Sequence, residues 1–370
     1  MSELLTSPLN AEHEKLGATF TAFGPWNMPL KYDNELEEHR AVRNAAGIFD
    51  LSHMGEIWVK GRMPASSCPI PSSPTWSPLK VGKAKYSMIA AEDGGIIDDL
   101  ISYRFEDEKF LVVPNAGNAE IVWEELNKRA EGFDVELENE SRDVAMIAVQ
   151  GPKAAEILVP LVEDNKQEDV HELGYYAATM AKVARTFAIV ARTGYTGEDG
   201  FEIIVYNADA PALWEELLKA GEEYDLRPCG LAARDSLRWK LACHCMATSS
   251  PAISPQSRQA WHVPLQEGKL TSSVLTSMRK RAEEGPQVAI TGLTSDQRRA
   301  ARAGAEVYVG DTKVGTVTSG QPSPTLGHPV AIALLDTSAE LSDGDAVEVD
   351  IRGKRYPFTV TAMPFYKRER

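Results

Sequence analysis

The sequence has no apolar run approaching the ~20 residues that a helix needs to cross a bilayer, which argues against a transmembrane role. Nor does it carry an excess of basic residues: 39 Lys and Arg stand against 54 Asp and Glu, a formal net charge of −15. An acidic balance of that size argues against broad nucleic-acid or anionic-membrane binding, while leaving room for a local basic patch that takes a small acidic ligand. Only 4 cysteines occur in 370 residues, too few for a disulfide scaffold and in keeping with a reducing compartment. The start, Met1-Ser2-Glu3-Leu4-Leu5, shows neither a secretory signal nor an organelle presequence, so a cytoplasmic location is expected. A phosphate loop is also missing. The stretch Gly194-Tyr195-Thr196-Gly197-Glu198-Asp199-Gly200 is rich in glycine, but no Gly-Lys-Ser/Thr follows and two acids sit where phosphate would be repelled.

What is present is a globular chain, 43% hydrophobic and long enough for two or three domains. Apolar spacing predicts helices over 11–16 and 33–46, the second stopped by Gly47, and a strand-like pattern from Ile48 through Glu56-Ile57-Trp58-Val59, with Asp50–Gly55 forming the approach. Further strands are expected over 110–113, 144–149, 187–191 and 201–206, with a helix ending near Arg129. Strands and helices mix without a strict βαβ rhythm, which favours an α+β class over a doubly wound sheet. The last ninety or so residues are strand-rich and punctuated by Gly and Pro, as in Lys313-Val314-Gly315-Thr316-Val317-Thr318-Ser319-Gly320, and predict a small antiparallel barrel.

The run Gly94-Gly95-Ile96-Ile97-Asp98-Asp99-Leu100-Ile101 places adjacent carboxylates inside an apolar, β-branched segment. A strand alternates faces, so Asp98 and Asp99 point to opposite sides and at least one enters the interior or a cleft. An ionised carboxylate there needs hydrogen bonds, a ligand or both, unless the pair sits at a strand end with one Asp capping a turn. The glycines at 194, 197 and 200 read as a hairpin whose turn uses positive φ, with Tyr195 and Glu202 placed to face a cleft. Arg234 lies in the helix-like run Gly230-Leu231-Ala232-Ala233-Arg234-Asp235-Ser236. It either forks onto a carboxylate ligand or pairs internally with Asp235.

Taken in order, the Trp26 loop, Phe49-Asp50-Leu51-Ser52-His53-Met54-Gly55, the Asp98-Asp99 run, Asn115-Ala116, Val149-Gln150-Gly151-Pro152, the stretch from Arg192 to Glu202, the Arg234 segment and residues 316–326 resemble the aminomethyltransferase family, the T-protein of the glycine cleavage system. The resemblance covers nearly the whole chain. It implies two interleaved α/β lobes around a central folate channel plus a C-terminal β-barrel: residues 1–50 and 140–255 as the first lobe, 51–139 as the second, 256–283 as a connecting segment and 284–370 as the barrel. The implied reaction takes an aminomethyl group from the lipoyl arm of a partner H-protein to tetrahydrofolate, releasing ammonia, with no metal. Glycine decarboxylase and dihydrolipoamide dehydrogenase are the implied system partners. By the same resemblance Asp99 is the catalytic acid and Asp98 the structural residue on the strand's other face. Tyr195, Glu202 and Arg234 match folate contacts, Asn115, Met54 and Tyr86 are wall residues, and the basic tail Lys367-Arg368-Glu369-Arg370 either reaches the glutamate end of folate or is a solvated terminus. Alternatives are a folate-dependent demethylase of a small methylated compound and a non-catalytic folate-binding member.

Some segments depart from the family in one direction. Where an acidic helix end and a Met-Pro-Leu-Tyr-Gly motif are expected, the chain reads Trp239-Lys240-Leu241-Ala242-Cys243-His244-Cys245-Met246. Writing codons for these residues and reading one base earlier restores that motif, and the same shift restores family-like sequence at 62–77, 256–260 and 271–278. These segments are therefore read as frame-displaced translation, from sequencing error or compensated lesions. Cys68, Cys243 and Cys245 then carry no chemistry, and Cys243-His244-Cys245 is not a zinc site.

Overall fold

The computed structural model describes residues 4–61, 79–91, 96–238 and 287–365. The displaced segments at 62–77, 239–250, 256–260 and 271–278, the expected connecting segment 256–283, Gly94, Gly95, Cys68, Cys243, Cys245 and the basic tail lie outside the described residues. Two sheets packed face to face and a closed barrel organise the rest. The first has six strands in the order Ala178–Val183, Thr186–Ala191, Gly200–Tyr206, Val144–Gln150, Gly47–Asp50, Arg227–Pro228. The second has five, ordered Ala84–Ala90, Ile96–Glu106, Lys109–Pro114, Ile57–Gly61, Val135–Asn139. A three-stranded sheet, Leu5–Thr6, Trp26–Lys31 and Thr19–Phe23, stands beside them. The class is α+β.

Residue alternation explains the layering. In Val144–Gln150 every residue is buried, as a central strand covered on both faces requires. Ala145, Ile147 and Val149 face one way, onto Leu213, Trp214 and Leu217 of the helix Ala210–Gly221. Val144, Met146 and Ala148 face the other way, where they meet Trp58, Tyr103, Leu111 and Val113 of the five-stranded sheet. That sheet turns Ile57, Val59, Leu100, Phe110 and Val112 outward under Val122 and Leu126, one helical turn apart on Ala119–Ala130. The layers therefore run helix, sheet, sheet, helix. Each fully buried Ile, Phe or Leu in these clusters contributes about 1.5–3 kcal/mol, before the entropy of ordering is set against it.

The strand-like pattern from 48 to 59, with its approach at 50–55, resolves into Gly47–Asp50 and Ile57–Gly61, which belong to different sheets. Asp50 makes the break. Its Oδ1 accepts from the backbone N of Ser52 at 2.9 Å, an Asx turn, while Oδ2 lies 2.8 Å from Nε2 of buried His13. Gly55 N then donates to Pro114 O at 3.1 Å, and a Cβ at Gly55 would run into Pro114. The loop from 51 to 56 thus crosses from one sheet to the other. The helix expected over 33–46 is Glu35–Asn44, because Asn34 caps it by accepting from Leu36 N at 2.9 Å, while Gly47 already begins a strand.

The barrel closes through Val288–Thr294, which pairs antiparallel with both Pro329–Asp336 and Arg355–Thr361. It docks on the sheets beside the helix Leu231–Arg238: His39 Nδ1 lies 2.6 Å from Ser236 Oγ and its Nε2 3.1 Å from Thr325 Oγ1, and Gln321 donates to Asp235. Among the described residues no helix is long and apolar enough to cross a membrane.

Candidate active site

Between the facing sheets lies a cleft with about 410 Å³ of open space, lined by Leu51, Met54, Tyr86, Asp99, Leu100, Ile101, Tyr103, Val113, Asn115, Met146, Tyr195, Glu202 and Arg234. Of the residues expected at the site from the sequence, Met54, Tyr86, Asp99, Asn115, Tyr195, Glu202 and Arg234 are all on its wall, and the basic tail lies outside the described residues. Asp99, Ile101 and Tyr103 reach it because they share one face of Ile96–Glu106, and Tyr86 because it stands on the adjacent strand Ala84–Ala90. Glu202 comes from the opposite sheet, Met54 from the crossing loop, and Arg234 from a short helix.

Asp99 is 2% exposed. Tyr86 Oη donates to its Oδ2 at 3.0 Å, Tyr195 Oη reaches the same oxygen at 3.5 Å, and Asn115 Nδ2 lies 3.0 Å from Oδ1. Asp98, at 0% exposure, faces away from the cleft. It accepts from Asn115 N at 2.9 Å, Asn115 Nδ2 at 3.0 Å and Asn118 Nδ2 at 2.7 Å. The carboxylates thus occupy opposite faces of the strand, and both are interior.

Glu202 is a buried acceptor. Thr193 Oγ1 donates to it, and Tyr103 Oη sits 3.0 Å from that hydroxyl. Burial raises its pKa against the Thr193 hydrogen bond and the nearby Arg234 charge. The Arg234 guanidinium stacks over the Tyr195 ring, 5.0 Å from its centroid, and its buried Nε has no hydrogen-bond partner among the described residues. The internal pairing considered for Arg234 goes elsewhere, since Asp235 binds Arg238 Nε at 2.8 Å. His53, next to Met54, is held neutral: burial, aided by the Arg234 charge, pushes its imidazole down to about 3.

The glycine-rich hairpin presents Tyr195 for a reason that differs from the turn chemistry expected. Only Gly197 of the three takes positive φ, at 86°. Gly194 and Gly200 are needed because a Cβ at either would strike the Gln150 side chain, whose Nε2 donates to Thr193 O at 3.0 Å and whose Oε1 accepts from Thr196 Oγ1 at 2.8 Å. The two acids that repel phosphate are neutralised in place: Arg43 Nη1 binds Glu198 at 2.7 Å, and Arg192 forks onto Asp199 at 3.0 and 2.6 Å.

Sequence reasoning did not single out Leu51, Leu100, Ile101, Tyr103, Val113 or Met146. The period of two along Ile96–Glu106 would have found Ile101 and Tyr103 on the Asp99 face. Nothing local marks Met146, which reaches the cleft only because two sheets pack. Among the described residues no group of three or more His, Cys, Asp or Glu side chains is arranged to hold a metal ion.

Comparison with known proteins matches residues 9–256 to the GCVT N-terminal domain and residues 289–367 to the glycine cleavage T-protein C-terminal barrel domain. An aminomethyltransferase of Corynebacterium aurimucosum is 69% identical over 378 aligned residues, with all of both chains covered, and one of Streptomyces coelicolor is 44% identical, covering 100% of this chain and 99% of the relative. The crystal structure of the glycine cleavage system aminomethyltransferase T from Bartonella henselae superposes with a TM-score of 0.83 at 33% identity, covering 99% of each chain. By fold, by barrel and by these relatives, the chain belongs to the aminomethyltransferase family, the T-proteins of the glycine cleavage system, and is a one-carbon transferase.

Proposed function

We propose that the cleft binds tetrahydrofolate as one-carbon acceptor and that the donor is the aminomethyl group on the lipoyl arm of H-protein, with glycine decarboxylase and dihydrolipoamide dehydrogenase as the other components of the system. The donor set fits a reduced pterin: buried acceptors at Asp99 and Glu202 suit ring N–H groups, Tyr86 and Tyr195 add phenol walls, and Arg234 brings a cation. Met54 and Asn115 complete the wall. When bound, the reduced pterin supplies the nucleophilic nitrogen. In the overall exchange the carbon–sulfur and carbon–amine bonds break, the carbon joins the acceptor's two nitrogens, and their two hydrogens leave on the thiol and on ammonia.

The observation that carries this reading is the Asp99 carboxylate, buried, facing the cleft and oriented by Tyr86 and Asn115. A fixed anion there orients the acceptor N–H and stabilises the positive charge that develops as the amine departs, without reorganisation cost at the moment of reaction. Glu202 and Arg234 hold the pterin edge. The names of the relatives favour aminomethyl transfer over a small-molecule demethylase. Incubating the chain with aminomethylated lipoyl carrier and tetrahydrofolate tests it: folate-dependent ammonia release is expected, and release that is independent of folate, or absent, overturns it.

A further inference from the structure

Asp98 is wholly buried, and the chemistry assigned to the cleft gives it no task. The ladder between Ile96–Glu106 and Lys109–Pro114 begins at the pair Leu100 and Pro114, so on this side the backbone carrying Asp98 and Asp99 extends beyond the paired register. Side chains take over where the ladder stops. The carboxylate of Asp98 holds Asn115 at its backbone N, 2.9 Å, and at Nδ2, 3.0 Å. That same Nδ2 lies 2.7 Å from Asp99 O and 3.0 Å from Asp99 Oδ1. One amide therefore joins two acids on opposite faces of a strand.

We propose that Asp98 is a positioning residue for aminomethyl transfer: its ionised carboxylate clamps Asn115 at two points, and through that amide sets the Asp99 rotamer, leaving Oδ2 to Tyr86, Tyr195 and the substrate. The inference deepens the reading of the cleft above and rests on it. Every described partner of Asp98 is an N–H donor. Protonation places a hydrogen where these donors point, so the clamp must loosen when Asp98 becomes neutral. Burial pushes this carboxyl up to about 7, the bonds from Asn115 and Asn118 pull it down, and the Asp99 charge adds to the rise. Among the described residues the groups facing it are Asp99 on its own strand, uncharged Asn115 and Asn118 from the following loop, and Ile89 opposite on Ala84–Ala90; Glu120, in the first turn of Ala119–Ala130, is exposed.

The test is the pH dependence of kcat for folate-dependent ammonia release by the full-length protein, alongside the tetrahydrofolate Kd. The native chain is expected to lose kcat as pH falls through about 7. Asp98→Asn, nearly isosteric but unable to titrate there, is expected to lower kcat about 100-fold, as a displaced reacting group does, to keep Kd within about threefold and to abolish that inflection. Asn118→Ala covers the case in which the first variant does not fold, because the Asn118 side chain makes no capping bond to its helix. Removing its N–H from the carboxylate favours the neutral acid, so the inflection moves to higher pH. Native kcat and pH profile in Asp98→Asn, a Kd loss that matches the kcat loss, or an unmoved inflection in Asn118→Ala each overturn the proposal. Failure of the native chain to release ammonia is a different result, which overturns the functional reading and this inference with it.

Discussion

Replacing Asp99 by Asn isolates its charge from its shape. The amide oxygen can take the place of Oδ1, 3.0 Å from Asn115 Nδ2, while the new NH2 faces Tyr86 Oη at 3.0 Å and Tyr195 Oη at 3.5 Å. Phenol oxygens accept as well as donate, so these contacts persist with their direction reversed. What disappears is one negative charge in a buried site. Two unit charges about 4 Å apart at an effective dielectric constant of about 20 interact by about 4 kcal/mol, and removing one preorganised electrostatic group from an active site commonly costs about 100- to 1000-fold in kcat. The expected outcome is therefore a kcat for ammonia release about 100- to 1000-fold below native, with tetrahydrofolate Kd, read by fluorescence titration, within about threefold. Turnover within about threefold of native refutes the role given to Asp99. A Kd that rises in step with the loss of kcat refutes it differently, making Asp99 a binding group alone.

Gly194→Ala drives a methyl into the Gln150 amide that ties Thr193 and Thr196 together, and is expected to cost about 1–3 kcal/mol in urea unfolding, typical of overpacking, and to weaken folate binding beside Tyr195; unchanged values refute the packing role of this glycine. His53, pushed down to about 3 in the fold, stays neutral while the unfolded chain takes up a proton near pH 6.5. Its contribution is therefore fully present above that pH and is lost as pH falls toward 3, about 2 kcal/mol by pH 5. His53→Phe should then lose less stability than native between pH 7 and pH 5, and parallel losses in urea titrations refute the assignment. Restoring the one-base-shifted residues at 62–77 exchanges a Pro- and Ser-rich run for an amphipathic one, worth ~1.5–3 kcal/mol for each apolar side chain it buries. The restored chain should melt many degrees higher by circular dichroism, and equal melting temperatures refute this stability cost; resequencing the coding DNA tests the frame reading itself.

Local pattern carried much of this molecule. The run at 144–149 reads as a strand, which the structure buries on both sides, and the period of two separates Asp98 from Asp99. The family resemblance named Tyr86, Asp99, Asn115, Tyr195, Glu202, Arg234 and Met54 as candidates, and all line one cleft. The same reading set 50–55 apart as the approach to a strand without showing that Asp50 and Gly55 turn the chain into another sheet there, and credited positive φ for glycines that are needed because Gln150 leaves no room for a side chain. Each of those features involves a partner distant in sequence.

Periodicity is a property of one segment, so the chain alone determined which residues share a face and that the two acids turn to opposite sides. Which face meets which partner is decided by packing two sheets from interleaved stretches of chain. That packing sets Glu202 and Met146 across from Asp99 and brings the Arg234 charge to Tyr195. It also buries Asp98 under the N–H donors of Asn115 and Asn118. Burial and electrostatic fields fall off with distance in space rather than along the chain, and for that reason the protonation of Asp98, His53 and Glu202 belongs to the tertiary structure.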